Sequence, residues 1–157
     1  PHNAFLLLQG LETLNLRMQQ HVSNAQAMVT WLQQQDTVAW VNHPDIDAEA
    51  HTTTLFPKGA GSMLTFGVKG GRDAGAAFIN ALQLSSNLAN VGDSRTLVLH
   101  PGSTTHSRLS EVDLVAAGIS ADLIRVSVGI ETLKDIQSDF GLGLRAAAKV
   151  VAMQAEA

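Results

Sequence analysis

Leu123-Ile124-Arg125-Val126-Ser127-Val128 is the stretch whose reading decides the fold. Four of its six residues are aliphatic, two of them the β-branched valines that suit a pleated surface, so it reads as a strand. Side chains alternate along a strand, which puts Leu123, Arg125 and Ser127 on one face and Ile124, Val126 and Val128 on the other. The second face is wholly apolar and belongs in a core. The first carries a charge in the middle of an apolar run.

Helix signals stand on both sides of this strand. Upstream, Ser110-Glu111-Val112-Asp113 fits a capping box that opens a helix running to Ala117, with Gly118 as a left-handed stop. Downstream, Thr132-Leu133-Lys134-Asp135 is a second capping-box candidate, opening a final helix to about Met153. Ser62 to Val68 is a further strand with Leu64, Phe66 and Val68 on its core face, and Gly70-Gly71 leads into a helix over about 72–82 with Ala74, Ala77, Phe78 and Leu82 inward. Val38 to Val41 reads as a short strand, and Leu84 to Leu88 and Thr96 to Leu99 are candidates. At the start, Leu6, Leu7, Leu11, Leu14 and Met18 recur at helical spacing, continued by Val22, Ala25, Val29 and Leu32, with Gly10 as a candidate break. Asn42 to Gly61 reads as a polar loop. The mixed order predicts an α/β or α+β fold, a small sheet covered by helices. The pattern shows no repeat and no internal boundary, so 1–157 reads as one domain.

Composition narrows the function. The chain has 157 residues, 45% hydrophobic and 15% charged, as expected of a globular domain with a core of its own. Its net charge is −4, and its 10 basic residues are scattered rather than clustered, which argues against a nucleic-acid partner. With no cysteine, disulfides, thiolate metal sites and cysteine nucleophiles are excluded. No apolar run approaches the ~20 residues of a membrane span, and no signal-peptide pattern is present, so a cytoplasmic location is expected. The chain opens Pro1-His2-Asn3 already inside a helical pattern, and is expected to be a piece of a longer protein.

Arg125 is the most informative residue. Desolvating its charge costs several kcal/mol unless a partner is found, and its planar fork matches a carboxylate. Two readings stand on the residues alone: an edge arginine satisfied by a local acid or solvent, or the floor of a ligand site. His100-Pro101-Gly102-Ser103-Thr104-Thr105-His106 follows a strand and is dense in small polar groups, as binding loops are. Its two histidines lack zinc-site spacing, and Ser103 lacks the glycines of a nucleophile elbow, so ordinary hydrogen bonding is the better reading for both. Gly67 to Gly71 is glycine-rich but lacks the spacing of a phosphate loop. Asn90-Val91-Gly92-Asp93 reads as a turn. Lys58, Lys69, Lys134 and Lys149 sit in loops, at element ends or on polar helix faces, unlike the desolvated amine of a Schiff-base lysine.

Taken together these segments resemble the C-terminal domain of the pyridoxal-phosphate enzymes of cysteine and methionine metabolism. The resemblance rests on Pro1 to Leu14, Arg17 with His21 and Asn24-Ala25, and Phe56-Pro57-Lys58-Gly59-Ala60-Gly61. It rests most on Leu88 to Asp93, His100 to His106, and Leu123-Ile124-Arg125-Val126-Ser127-Val128-Gly129-Ile130-Glu131. Asn90 and the Ser103-Thr104-Thr105-His106 wording are most similar to O-acetylhomoserine sulfhydrylases, and Gly102 departs from the usual alanine. The resemblance implies the small C-terminal domain of fold-type I transferases, with a mostly antiparallel sheet. It implies γ-replacement of acetate by sulfide on an amino-acid substrate, with pyridoxal 5′-phosphate as electron sink. Arg125 is then expected to hold the substrate's α-carboxylate, helped by Asn90, with Thr105 lining the same pocket. The catalytic lysine and the cofactor ligands are expected in the protein's own N-terminal domain, which is absent here, so this piece alone should neither hold the cofactor nor turn substrate over. A homotetramer is expected of the full-length enzyme. A γ-lyase or O-succinylhomoserine enzyme of the same family, and a non-catalytic binding or oligomerisation module, are the alternatives.

Overall fold

A computed structural model describes residues 1–46 and 50–156. Its elements are α1 (His2–Glu12), α2 (Leu14–Gln33), β1 (Val38–Asn42), α3 (Ala50–Leu55), β2 (Met63–Val68), α4 (Gly71–Ala81), β3 (Leu97–Leu99), a 3-10 turn (Pro101–Ser103), α5 (Glu111–Ala116), β4 (Leu123–Ser127) and α6 (Leu133–Ala155). The four strands form one sheet in the order β1-β2-β4-β3, and every neighbouring pair is antiparallel.

The face predicted to be core is core. Leu64, Phe66 and Val68 of β2 and Ile124 and Val126 of β4 are buried, and they pack under α2, α4 and α6. Phe66, Phe78 and Phe140 meet there as a triangle of rings with centroids 5.4–6.1 Å apart, two of the three contacts edge-to-face. Helices therefore cover one face of the sheet. The opposite face carries Arg125 and its cross-strand neighbours, in rows set by the strand register. Asn42, Thr65, Arg125 and Leu99 are direct cross-strand partners in one such row.

Several expectations need correction. Leu84 to Leu88 is not a strand: Ser86 makes an isolated parallel bridge to Leu97, and the start of the segment is held instead by the Asp139 carboxylate of α6. The N-terminal break falls at Thr13 rather than Gly10, because the Arg17 guanidinium reaches back to the Gly10 carbonyl (2.6 Å) and the Thr13 hydroxyl (3.3 Å). The loop from Asn42 to Gly61 contains the short helix α3. Ser110 caps α5 as predicted, its hydroxyl accepting from the Asp113 N–H. Thr132 precedes α6 without a side-chain cap, and its carbonyl alone receives the first N–H groups. Gly118 is left-handed (φ 74°) and ends the α5 segment.

Not one residue of α1 is buried. Phe5, Leu6, Leu7, Leu8 and Leu11 are each more than half exposed, so this helix lies outside the core.

Candidate functional site

The segment after β4 is held in place from two directions. From α2, the buried His21 ring donates through Nδ1–H to the Val128 carbonyl (2.6 Å), and the Asn24 amide donates to the carbonyls of Gly129 (3.0 Å) and Glu131 (2.9 Å). From the other side, the Glu131 carboxylate accepts from the Thr96 N–H (2.6 Å) and hydroxyl (2.8 Å), while Thr96 Oγ1 accepts from the Gly129 N–H (3.0 Å). Backbone groups that a strand end would leave open are thereby paired. The register of β4, and with it the position of Arg125, is fixed by buried polar groups rather than by apolar packing alone.

Arg125 is half-buried, between Thr65 and Leu99 in the sheet row. Among the described residues it has no acidic partner and makes no side-chain hydrogen bond, which is unusual for a guanidinium inside a strand. It borders two cavities. One, of about 250 Å³, lies toward β1 and is lined by Asn42, His43, Pro44, Met63, Leu64 and Thr65. The other, of about 360 Å³, lies toward β3, walled by Ala89, Leu99, Pro101, Ile119 and Leu123, with Thr65, Thr105 and His106. Of the two residues predicted to join Arg125, the structure brings Thr105 to this second cavity. Asn90 is exposed and does not line it; its Oδ1 accepts from the Val91 N–H (2.9 Å), and the neighbouring Ala89 takes the place on the wall. Alternation alone could have pointed to Thr65, which faces the same way as Arg125. Ala89 and His106 carry no such signal.

The His100 loop is built for shape. His100 is fully buried, with Nε2 donating to the Ala121 carbonyl (2.8 Å) and Nδ1 accepting from the Ser103 hydroxyl (2.8 Å). The serine is therefore tied to His100, and His106 bonds to the Thr105 hydroxyl (2.8 Å), so Ser103 and His106 form no nucleophile–base pair. A methyl group at Gly102 would sit 3.7 Å from the His100 ring, an ordinary contact, so the departure from alanine is structurally slight. Among the described residues no cluster of three metal-ligating side chains exists, and no helix is long and apolar enough to cross a membrane.

Two carboxylates shape the loop between α4 and β3. Burial pushes the Asp139 carboxyl up, but the N–H groups of Gln83, Leu84 and Ser85 (2.7–3.0 Å) outweigh it and hold it below the usual range. Asp93, half-buried at the turn after Asn90, is held down to about 2 by hydrogen bonds from the side chain and backbone of Arg95.

Pyridoxal phosphate requires a lysine amine for its aldehyde. All four lysines are exposed, and none lines either cavity beside Arg125. The residues of this chain do not fit the cofactor by themselves.

Fold and site together define a class: a small antiparallel sheet, helix-covered on one face, with an arginine unpaired among the described residues between two cavities on the other. The chain belongs to the Cys/Met metabolism PLP-dependent enzyme family, whose model matches residues 1–145. It is 47% identical over 152 residues to homocysteine synthase of Schizosaccharomyces pombe, covering 94% of this chain and 35% of that protein. It is 45% identical over 142 residues to O-acetyl-L-homoserine sulfhydrylase 1 of Thermus thermophilus, covering 88% and 34%. Among solved structures it superposes, with TM-score 0.80 and 38% identity, on an O-acetylhomoserine (thiol)-lyase from Campylobacter jejuni that carries N′-pyridoxyl-lysine-5′-monophosphate at its position 205. The match covers 92% of this chain and 35% of that one. The chain thus spans about a third of the length of the relatives it matches.

Proposed function

We propose that this chain is the C-terminal, substrate-carboxylate-binding domain of an O-acetylhomoserine sulfhydrylase, the enzyme that replaces the acetate of O-acetylhomoserine with sulfide to give homocysteine. One observation carries the reading: a half-buried guanidinium with no acid among the described residues to pair it, opening onto a cavity shared with Thr105. An unpaired buried charge is costly, and an incoming carboxylate would remove that cost by bidentate hydrogen bonding. The relatives named for homocysteine synthesis and for O-acetylhomoserine support the choice of substrate.

In this reading Arg125 binds and orients the α-carboxylate, Asn90 and its neighbouring backbone complete the grip from one residue beyond the wall, and Thr105 borders the reacting end. The cofactor supplies the electron sink, and its lysine and phosphate ligands come from the protein's own N-terminal domain. A homotetramer, a cytoplasmic location and the absence of nucleic-acid or membrane partners belong to the same proposal.

Arg125→Ala in the full-length enzyme tests it. Losing a charge-assisted bidentate contact costs about 2–4 kcal/mol, so kcat/KM for O-acetylhomoserine should fall roughly 30- to 900-fold. Most of the loss should appear in KM, with a smaller loss in kcat. Unchanged kinetics would remove Arg125 from the site.

A further inference from the structure

We infer that His100 is a positioning residue for the amino-acid site: its imidazole is the strut that holds the loop carrying Thr105 at a fixed distance from the strand carrying Arg125. The inference rests on the Arg125 reading and deepens it, by naming what sets the width of that site.

The β3-side cavity has walls from two separate segments. Pro101, Thr105 and His106 come from the loop after β3, and Leu123 and Arg125 from β4. The loop's own N–H groups stay within it: Ser103 donates to the His100 carbonyl (3.2 Å), and Thr104 and His106 donate to that of Pro101 (3.2 and 2.9 Å). Among the described residues no backbone hydrogen bond joins 101–106 to β4. Arg72 donates to the Gly102 carbonyl, but it ties the loop to α4. His100 supplies the tie to β4. A carbonyl can only accept, so Nε2 carries the hydrogen toward Ala121 (2.8 Å), two residues before β4 begins. Nδ1 is thereby left as the acceptor for the Ser103 hydroxyl (2.8 Å). The ring has no room to shift. It is fully buried, and a Cβ at Gly75 of α4 would lie 2.8–3.4 Å from three of its atoms. One donor and one acceptor in fixed directions thus carry the position of one wall to the other.

The test uses the full-length enzyme and begins at Ser103, which is exposed, so that its replacement should leave the fold intact. Ser103→Ala removes the loop end of the strut. KM for O-acetylhomoserine should rise roughly 2- to 10-fold, the range of one neutral hydrogen bond, with kcat changed by less than about twofold. Ser103→Thr keeps the hydroxyl and should restore KM. His100→Asn keeps an acceptor near the Nδ1 position but is too short to reach Ala121, and should raise KM in the same way; if it does not fold, the two serine variants decide. A second readout needs no substrate. Amide hydrogen exchange at His106, whose N–H is bonded within the loop, should accelerate in Ser103→Ala while the N–H groups of β4 keep their protection. KM unmoved by Ser103→Ala, KM raised equally by Ser103→Thr, or unchanged exchange at His106 overturns the inference. Should the enzyme fail to turn over O-acetylhomoserine at all, the proposed function falls while the exchange measurement continues to judge the strut.

Discussion

Gly129→Ala should be among the most damaging single-methyl additions to this chain, and its cost can be worked from the structure. A Cβ at residue 129 would lie 2.5 Å from the Arg95 carbonyl carbon, 2.5 Å from the Thr96 nitrogen, and 2.2 Å from Glu131 Oε2. Two of these three neighbours are backbone, so a rotamer change cannot relieve the clash. Forcing a methyl into such a site costs about 1–3 kcal/mol as overpacking. The carboxylate must also move, and it holds Thr96 by two hydrogen bonds at 2.6 and 2.8 Å. Loss of hydrogen bonds to a charged group adds about 1.5–3 kcal/mol. Together the loss is about 2.5–6 kcal/mol, in the range that unfolds marginal domains. With a urea m-value of about 2 kcal/mol/M, the unfolding midpoint should fall by roughly 1.2–3 M. Gly10→Ala is the control: nothing lies within 4 Å of its Cβ position inside α1, and it should be neutral or stabilising by about 0.5–1 kcal/mol. The mechanism predicts coupling as well. Glu131→Gln should cost less in the Gly129→Ala background than alone, since the carboxylate has already been displaced. A midpoint shift below about 0.3 M for Gly129→Ala, or fully additive behaviour with Glu131→Gln, would refute the reasoning.

Two further expectations concern the acidic groups. Asp139→Ala leaves the N–H groups of Gln83, Leu84 and Ser85 without their acceptor and should destabilise by about 3 kcal/mol, measured by denaturant unfolding. Because the folded state holds Asp139 below its ordinary value, its stabilisation is present above the unfolded pKa and is lost as pH falls through the folded one; an acid-unfolding curve unchanged in Asp139→Asn would contradict this. The Asp93 carboxyl, held down by Arg95, should titrate at about 2 by NMR and return toward 4 in Arg95→Gln; a midpoint near 4 in the unsubstituted protein would show the pair to be broken in solution.

The core was legible because its rule is local. The period-2 alternation of Met63 to Val68 and Leu123 to Val128 is enough to sort buried from facing residues, and the two strands indeed pair Leu64 with Val126 and Phe66 with Ile124. The segment 84–88 failed the same rule for a physical reason. Its apolar residues could satisfy a strand pattern, but the backbone N–H groups of 83–85 are taken by the Asp139 carboxylate, fifty-odd residues further on. A carboxylate that caps a loop across that distance leaves no local mark. The break at Thr13 was misplaced for a related reason: glycine weakens a helix, but a long side chain such as Arg17 that occupies the open carbonyl of Gly10 decides where the turn goes.

The site divides along the same line. Arg125 was visible because a charge inside an aliphatic strand contradicts its surroundings, and such contradictions tend to mark function. The residues that hold the strand end behind Arg125 show no such contradiction with their surroundings, although His21 and Asn24 belong to the segments on which the family resemblance rests. Asn24 and His21 sit in the middle of a helix and read as neutral or poor helix formers, yet they place the carbonyls of Val128, Gly129 and Glu131. They do so from more than a hundred residues away in sequence, so only the fold joins them to β4. That arrangement has a consequence for how the arginine can be perturbed. Removing the guanidinium should affect substrate alone, because among the described residues nothing leans on it. Removing Asn24 or Glu131 should affect both stability and the arginine's position, because each pairs backbone at the end of the strand that carries it. A mutation that raises KM without lowering the unfolding midpoint therefore acts at the grip, and one that moves both acts on the frame behind it.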